Sequence, residues 1–213
     1  SSKIYIPEVA RDIIEQISFE ARESDLVDRK SGVSARMSIT SLQNLVSSAE
    51  RRMIINKEGK TSIRMSDFSS VISSINGKVE LVYEGEEEGA EQVSYNLISS
   101  AVKSIFNKYF PKIEKLTKPD EITPYDKLLN WFSNKQLVIN DNLNNKDYEN
   151  LLNEVIDAKK LIKKYIPELN DDDELFFVEF ILWGLESYNK LSILRTNNGI
   201  EYKDPFNNFI NKI

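Results

Sequence analysis

The chain has no cysteine and no histidine. Their absence removes disulfides, thiolate nucleophiles, Ser-His and Cys-His catalysis, and zinc sites built on the usual nitrogen and sulfur ligands. Glycine and proline are scarce, 7 and 6 among 213 residues, which leaves little material for the tight turns of a multi-stranded sheet. No apolar run approaches the roughly 20 residues that span a bilayer, and Ser1 to Ile6 is too short for a signal peptide. A net charge of -6 and a sequence pI near 5.0 argue against a general binder of nucleic acid or anionic membrane, because such proteins need a positive field. The expectation is a cytoplasmic protein with neither nucleic acid nor membrane as partner. The missing initiator Met reads as a processed or excised piece.

What is present belongs to an ordinary globular protein. Apolar residues make up 40% and charged residues 29%, with 10 Phe, 9 Tyr and 2 Trp, enough to build a core. Leu, Ile, Glu, Lys, Ser and Asn all populate helices and their caps, so the expected fold is all-α or mainly α, with at most a short strand or hairpin.

Ile6-Pro7-Glu8 starts a helix, since proline presets φ and an acid favours the positive helix end. Val9, Ile13, Ile14, Ile17 and Ala21 then recur at helical spacing to about Ser24. Asp25 to Gly32 reads as a loop. A second helix is predicted from about Ser34 to Asn56, with Ile39, Leu42, Leu45, Val46, Ala49 and Met53 on its apolar face. Ile63-Arg64-Met65 reads as briefly extended before Ser66 caps a short helix that Asn76-Gly77 stops. Val79, Leu81 and Tyr83 fit either a short strand or an extended linker.

The acidic run Glu84 to Gly89 marks the expected boundary between a unit at residues 1–85 and a second at 86–213. A long helix follows it and closes at Pro111. Thr123-Pro124-Tyr125-Asp126 carries a helix-start pattern. Single helices are predicted for about 146–166 and 172–191, the latter apolar nearly all round and hence central to the second unit. Asn197-Asn198-Gly199 reads as a two-residue hairpin turn.

Ser31-Gly32-Val33-Ser34-Ala35-Arg36 places a glycine, a capping serine and an arginine at a loop-to-helix junction. A positive helix end and a guanidinium pointing the same way make an anion site. This motif resembles the sensor 2 element of AAA+ lid subdomains in the MoxR and magnesium-chelatase I-subunit group. The likeness continues through Asn44-Leu45-Val46, Ala49-Glu50-Arg51-Arg52 and Ile63-Arg64-Met65-Ser66-Asp67-Phe68, and more loosely through Gly77 to Gly85, Phe106, Tyr109-Phe110, Gly184-Leu185 and Asn189 to Ser192.

That resemblance implies an AAA+ lid at residues 1–85 and a C-terminal helical extension at 86–213. Arg36 would be the nucleotide-binding sensor 2 arginine, supported by Ser31, Gly32 and Ser34, touching the γ-phosphate of ATP and coupling hydrolysis to remodelling or metal insertion in a partner. It further implies ATP and Mg in the full-length protein, none in this chain by itself. Its partners would be the AAA+ core of the same polypeptide, neighbouring ring subunits, and a protein with a von Willebrand A-type domain. The departure from the family is the missing front half: no phosphate-cradling Gly-x-x-x-x-Gly-Lys-Ser/Thr loop and no acidic strand end for magnesium occur here. No catalytic residue and no metal ligand is assigned, and no turnover is expected of this chain alone. The competing reading is a non-enzymatic helical interaction module.

Bland readings compete at several positions. Arg51 and Arg52 suit the dipole late in a helix, although a neighbouring subunit or nucleotide is the functional alternative. The runs Glu84 to Glu88 and Asp171 to Glu174 favour helix starts more than they suggest a divalent cation. Trp131, Phe132, Phe176, Phe177 and Trp183 read as core before partner face.

Overall fold

The computed structural model describes residues 3–28, 30, 33–34, 36–114, 122–196 and 198–206. It is mainly helical, with short strands in two small sheets. Two compact units divide between Ile105 and Phe106.

In the first unit, β1 (Ile4–Tyr5) leads into α1 (Glu8–Glu23). Pro7 precedes that helix at φ -53, the value its ring enforces. Glu8 sits in the first turn, Arg22 in the last, and Val9, Ala10, Ile13, Ile14, Ile17 and Ala21 are buried. Helix α2 (Arg36–Ile55) packs against α1 and buries Met37, Ser41, Leu45, Ala49 and Met53. Its core stripe differs from expectation at Ile39, Leu42 and Val46, the last two only half-buried. Ile39 is 60% exposed, because two residues from Met37 is about 200° around a helix of 3.6 residues per turn.

After α2, strand β2 (Thr61–Ser62) pairs in parallel with β1, Ile4 opposite Thr61 and Tyr5 opposite Ser62. A 3-10 helix at Met65–Val71 runs directly into α3 (Ile72–Asn76). The expected serine cap gives way to Asp67, whose Oδ2 accepts the Arg64 N–H at 2.8 Å. The segment offered as strand or linker makes a single bridge, Leu81 to Val27, with Asp28 N–H donating to Glu80 O (2.9 Å) and Val82 N–H to Leu26 O (3.1 Å).

The acidic run is helical, forming α4 (Tyr83–Glu88), and Gly89 at φ 95 ends it. Helix α5 (Ala90–Tyr109) follows at once. Ser94 Oγ on Asn76 Oδ1 and Ser104 Oγ on Glu20 Oε1 (2.8 Å) hold its first three-quarters to the first unit. Those bonds explain why this compact unit extends past residue 85, where composition alone drew the line.

The second unit comprises α6 (Asp126–Asn134), β3 (Leu137–Asn140), α7 (Asn145–Asn153), α8 (Ile156–Tyr165), α9 (Asp171–Ser187), β4 (Ser192–Thr196) and β5 (Gly199–Lys203). The helix expected over 146–166 is two helices, parted where Val155 takes ψ 59 and is buried. The hairpin of β4 and β5 forms as expected, with Asn197 outside the described residues. Strand β3, unforeseen, joins β5 antiparallel with Ile139 opposite Ile200, giving the order β3-β5-β4. Its four residues alternate buried and exposed, too short a run to stand out in sequence.

Helix α9 is buried continuously from Phe176 to Leu185, as its all-round apolarity demands. Phe106 packs against Phe110 (centroids 5.0 Å), Tyr125 and Phe180 (both 6.0 Å). Gly184 is what admits that ring: a Cβ there would stand 2.2 Å from Phe106 Cδ2. Phe132, Phe176, Phe177 and Trp183 lie in the core, and Trp131 is half-buried against Phe132.

Candidate functional site

Helix α2 opens at Arg36, whose side chain is exposed. Its N–H donates to Ser34 Oγ at 3.2 Å, and Met37 N–H donates to Ser34 O at 2.8 Å, so Ser34 serves the first turn from outside it. That turn contains no acidic residue, and among the described residues no carboxylate pairs with the Arg36 guanidinium. Within the helix itself, then, no first-turn carboxylate offsets the positive end of these 20 residues. Ser18 and Ser38 share a hydroxyl hydrogen bond of 2.7 Å, anchoring this start of α2 on α1. With the Arg36 and Met37 amides taken by Ser34, the exposed guanidinium is the group at this helix start that can meet an anion. Ser31 and Gly32 lie outside the described residues; of the four expected site residues the structure places Arg36 and Ser34.

Arg51 and Arg52 part company. Arg51 is exposed, whereas Arg52 is 1% exposed and forms a salt bridge with Asp67, itself 4% exposed. Arg52 Nη2 donates to Ser62 O (2.8 Å), and Ser48 Oγ donates to Asp67 Oδ1 (2.9 Å). Together with the Arg64 amide, the network ties α2 to β2 and the 3-10 helix. Arg52 does stand in the last turn of α2, as the dipole reading has it; what that reading does not supply is its burial against Asp67. The available signal was spacing: position 52 continues the stripe of 45 and 49 and adjoins Met53 on the core side.

A second buried carboxylate sits in the other unit. Glu179 of α9 is 0% exposed; Tyr148 Oη donates to its Oε2 and Tyr202 Oη to its Oε1, both at 2.7 Å. Trp183 Nε1 donates to Tyr202 Oη at 2.8 Å, and the Arg195 guanidinium stands 5.0 Å from the Trp183 ring centroid. Burial first, then the negative charge of Glu179, holds the Tyr202 phenol well above its ordinary range. Burial, then the neighbouring Tyr165 and Tyr188, raises Tyr125 likewise.

Because the folded protein binds the Tyr202 proton more tightly than the unfolded one does, this phenol's contribution to stability is complete below pH 10.0, its ordinary value, and declines as pH rises beyond it. Denaturant midpoints measured across that pH should fall, and fall less in Tyr202→Phe. An identical decline in that variant would count against the assignment.

A cleft of about 180 Å³ opens in the first unit, lined by Glu20, Glu23, Ser24, Leu26, Asn96 and Ser100 among others. Glu20 within it already accepts from Gln16 (2.9 Å) and Ser104 (2.8 Å). Among the described residues no group of three or more Asp or Glu side chains converges as a metal site would. In the acidic run, Glu88 Oε1 accepts from Asn96 Nδ2 at 2.6 Å; in the later run, Glu174 pairs with Lys159. No described helix is long and apolar enough to cross a membrane. No protein-family model, no curated protein and no solved structure matches the sequence.

Proposed function

We propose that this chain is the ATP-sensing lid and C-terminal helical extension of a cytoplasmic AAA+ ATPase of the MoxR and magnesium-chelatase I-subunit type. The observation that carries the reading is Arg36: an exposed arginine on the first residue of α2, its backbone N–H held by the Ser34 hydroxyl, in a first turn without acidic residues. Sensor 2 chemistry asks for those elements in that place, a charged fork delivered by a rigid helix to a phosphate held by another part of the polypeptide. ATP and Mg would be bound by the preceding core. The lid's motion would then reach ring neighbours and a partner with a von Willebrand A-type domain, serving remodelling or metal insertion.

The coding sequence upstream of the Ser1 codon is the first check, since a phosphate-binding loop in the same frame is required. In the polypeptide so encoded, Arg36→Ala should lower ATP turnover by roughly a hundredfold, the usual scale for losing one charged stabiliser of a transferring phosphate. Arg36→Lys should recover part of it, a point charge replacing a fork. Residues 1–213 alone should hydrolyse no ATP. Unchanged turnover in Arg36→Ala would remove the sensor role.

The second reading, a helical interaction module without enzymatic activity, draws on Phe19 (56% exposed) and Ile39 (60% exposed), apolar side chains presented outward from α1 and α2. It becomes the better account if the frame upstream encodes no phosphate loop.

A further inference from the structure

We propose that Asn198-Gly199, where the β4–β5 hairpin turns, is a site of spontaneous deamidation, and that the fold directs the reaction there and away from the other Asn-Gly pair, Asn76-Gly77. In this reaction the backbone nitrogen of glycine attacks the asparagine Cγ. The new N–Cγ bond replaces the bond from Cγ to the amide nitrogen of the asparagine, and ammonia leaves with the proton lost from the glycine nitrogen. Water then opens the resulting succinimide at either carbonyl, giving aspartate or isoaspartate. No oxidant, metal or enzyme is needed; the reaction requires a glycine without Cβ bulk and a carboxamide free to swing toward the backbone.

The two pairs differ in that freedom. Both asparagines are exposed, but among the described residues the Asn198 carboxamide has no hydrogen-bond partner. Only its backbone is held, by N–H to Thr196 Oγ1 (3.3 Å) and by Asp141 N–H on its carbonyl (3.0 Å). Gly199 and Thr196 form the last pair of the β4–β5 ladder, where a hairpin opens most readily. Asn76 is locked instead. Its Oδ1 accepts from Ser94, which is 1% exposed, and the Gly77 N–H is engaged with Ser73 O at the end of α3 (3.4 Å). Gly199 is likewise held, in the ladder opposite Thr196 and Asn140, so what sets the sites apart is the Ser94 bond, which must open before the Asn76 carboxamide turns toward the Gly77 nitrogen.

The product alters the sheet. Gly199 has φ +153, and a Cβ there would lie 2.1 Å from the Ile139 carbonyl oxygen, so a backbone lengthened at residue 198 displaces the close pairing of Gly199 with its neighbours. Isoaspartate adds one carbon to the backbone of a two-residue connection and sets a carboxylate beside Asp141. The Asp141 N–H bond to residue 198 and the adjacent ladder pairs should loosen.

The test incubates the folded protein at mildly alkaline pH and follows both sites by peptide mapping and mass spectrometry, with a parallel sample in denaturant. Asn198 should convert at least roughly tenfold faster than Asn76 in the folded state, the factor expected when ordinary hydrogen bonds must open first. The two rates should converge in denaturant, and Asn198→Gln should abolish conversion at the hairpin. Equal rates in the folded state, faster conversion at Asn76, or protection of Asn198 while the denatured protein reacts at both sites would each overturn the proposal.

Discussion

Asp67→Ala is expected to remove roughly 3–5 kcal/mol of stability, the usual consequence of leaving one charge of a buried pair without its partner. The loss follows from where Arg52 lies. Its guanidinium is enclosed by α2, β2 and the 3-10 helix, and without Asp67 its main remaining acceptor is the Ser62 carbonyl. Asp67→Ala also frees the Ser48 hydroxyl and the Arg64 amide, which share the same carboxylate. Asp67→Asn should lose less, since it keeps an acceptor oxygen. The double variant Arg52→Met, Asp67→Leu should recover most of the loss, because a buried pair contributes little net over apolar groups of similar volume. Denaturant unfolding of the parent and the three variants decides the matter: a deficit below about 1 kcal/mol in Asp67→Ala would mean the pair is screened like an exposed one.

The second large effect belongs to Glu179. Glu179→Ala should cost roughly 2–5 kcal/mol, since it orphans two buried phenol donors at about 1–3 kcal/mol each and leaves a cavity beside α9. Tyr148 comes from α7, Tyr202 from β5 and Glu179 from α9, so one carboxylate fixes a helix and the central strand to the core helix. Glu179→Leu combined with Tyr148→Phe and Tyr202→Phe should regain much of the loss, incompletely because Trp183 Nε1 loses its acceptor. Thermal unfolding of the single and triple variants separates the two contributions. If the triple variant is no more stable than Glu179→Ala, the phenols are not what the carboxylate serves.

How the two carboxylates relate to sequence shows where residue-level reasoning reaches and where it stops. Glu179 is the one charged residue inside the apolar stretch Leu175 to Leu185, so its burial was readable; the phenols that meet it, 31 positions before and 23 after, were not. Arg52 was assigned to a helix end by its charge, although helical spacing set it on the buried stripe. For the candidate anion site, the junction of Ser34 and Arg36 at a helix start was legible as a local pattern. What stands opposite that guanidinium depends on groups distant in sequence.

The sequence by itself determined the mainly helical architecture, the starts of α1 and α9, the β4–β5 hairpin and the stripe that packs α1, because each depends on periodicity or capping within one or two turns. Only the tertiary structure decided that β3 is a strand, that the acidic run coils into α4, that the first compact unit runs to Ile105, and that Arg52 and Glu179 are buried with partners. Apart from α4, whose bonds are local, each of those outcomes requires a hydrogen bond or ion pair between segments far apart along the polypeptide, and a local pattern carries no information about which distant group will arrive.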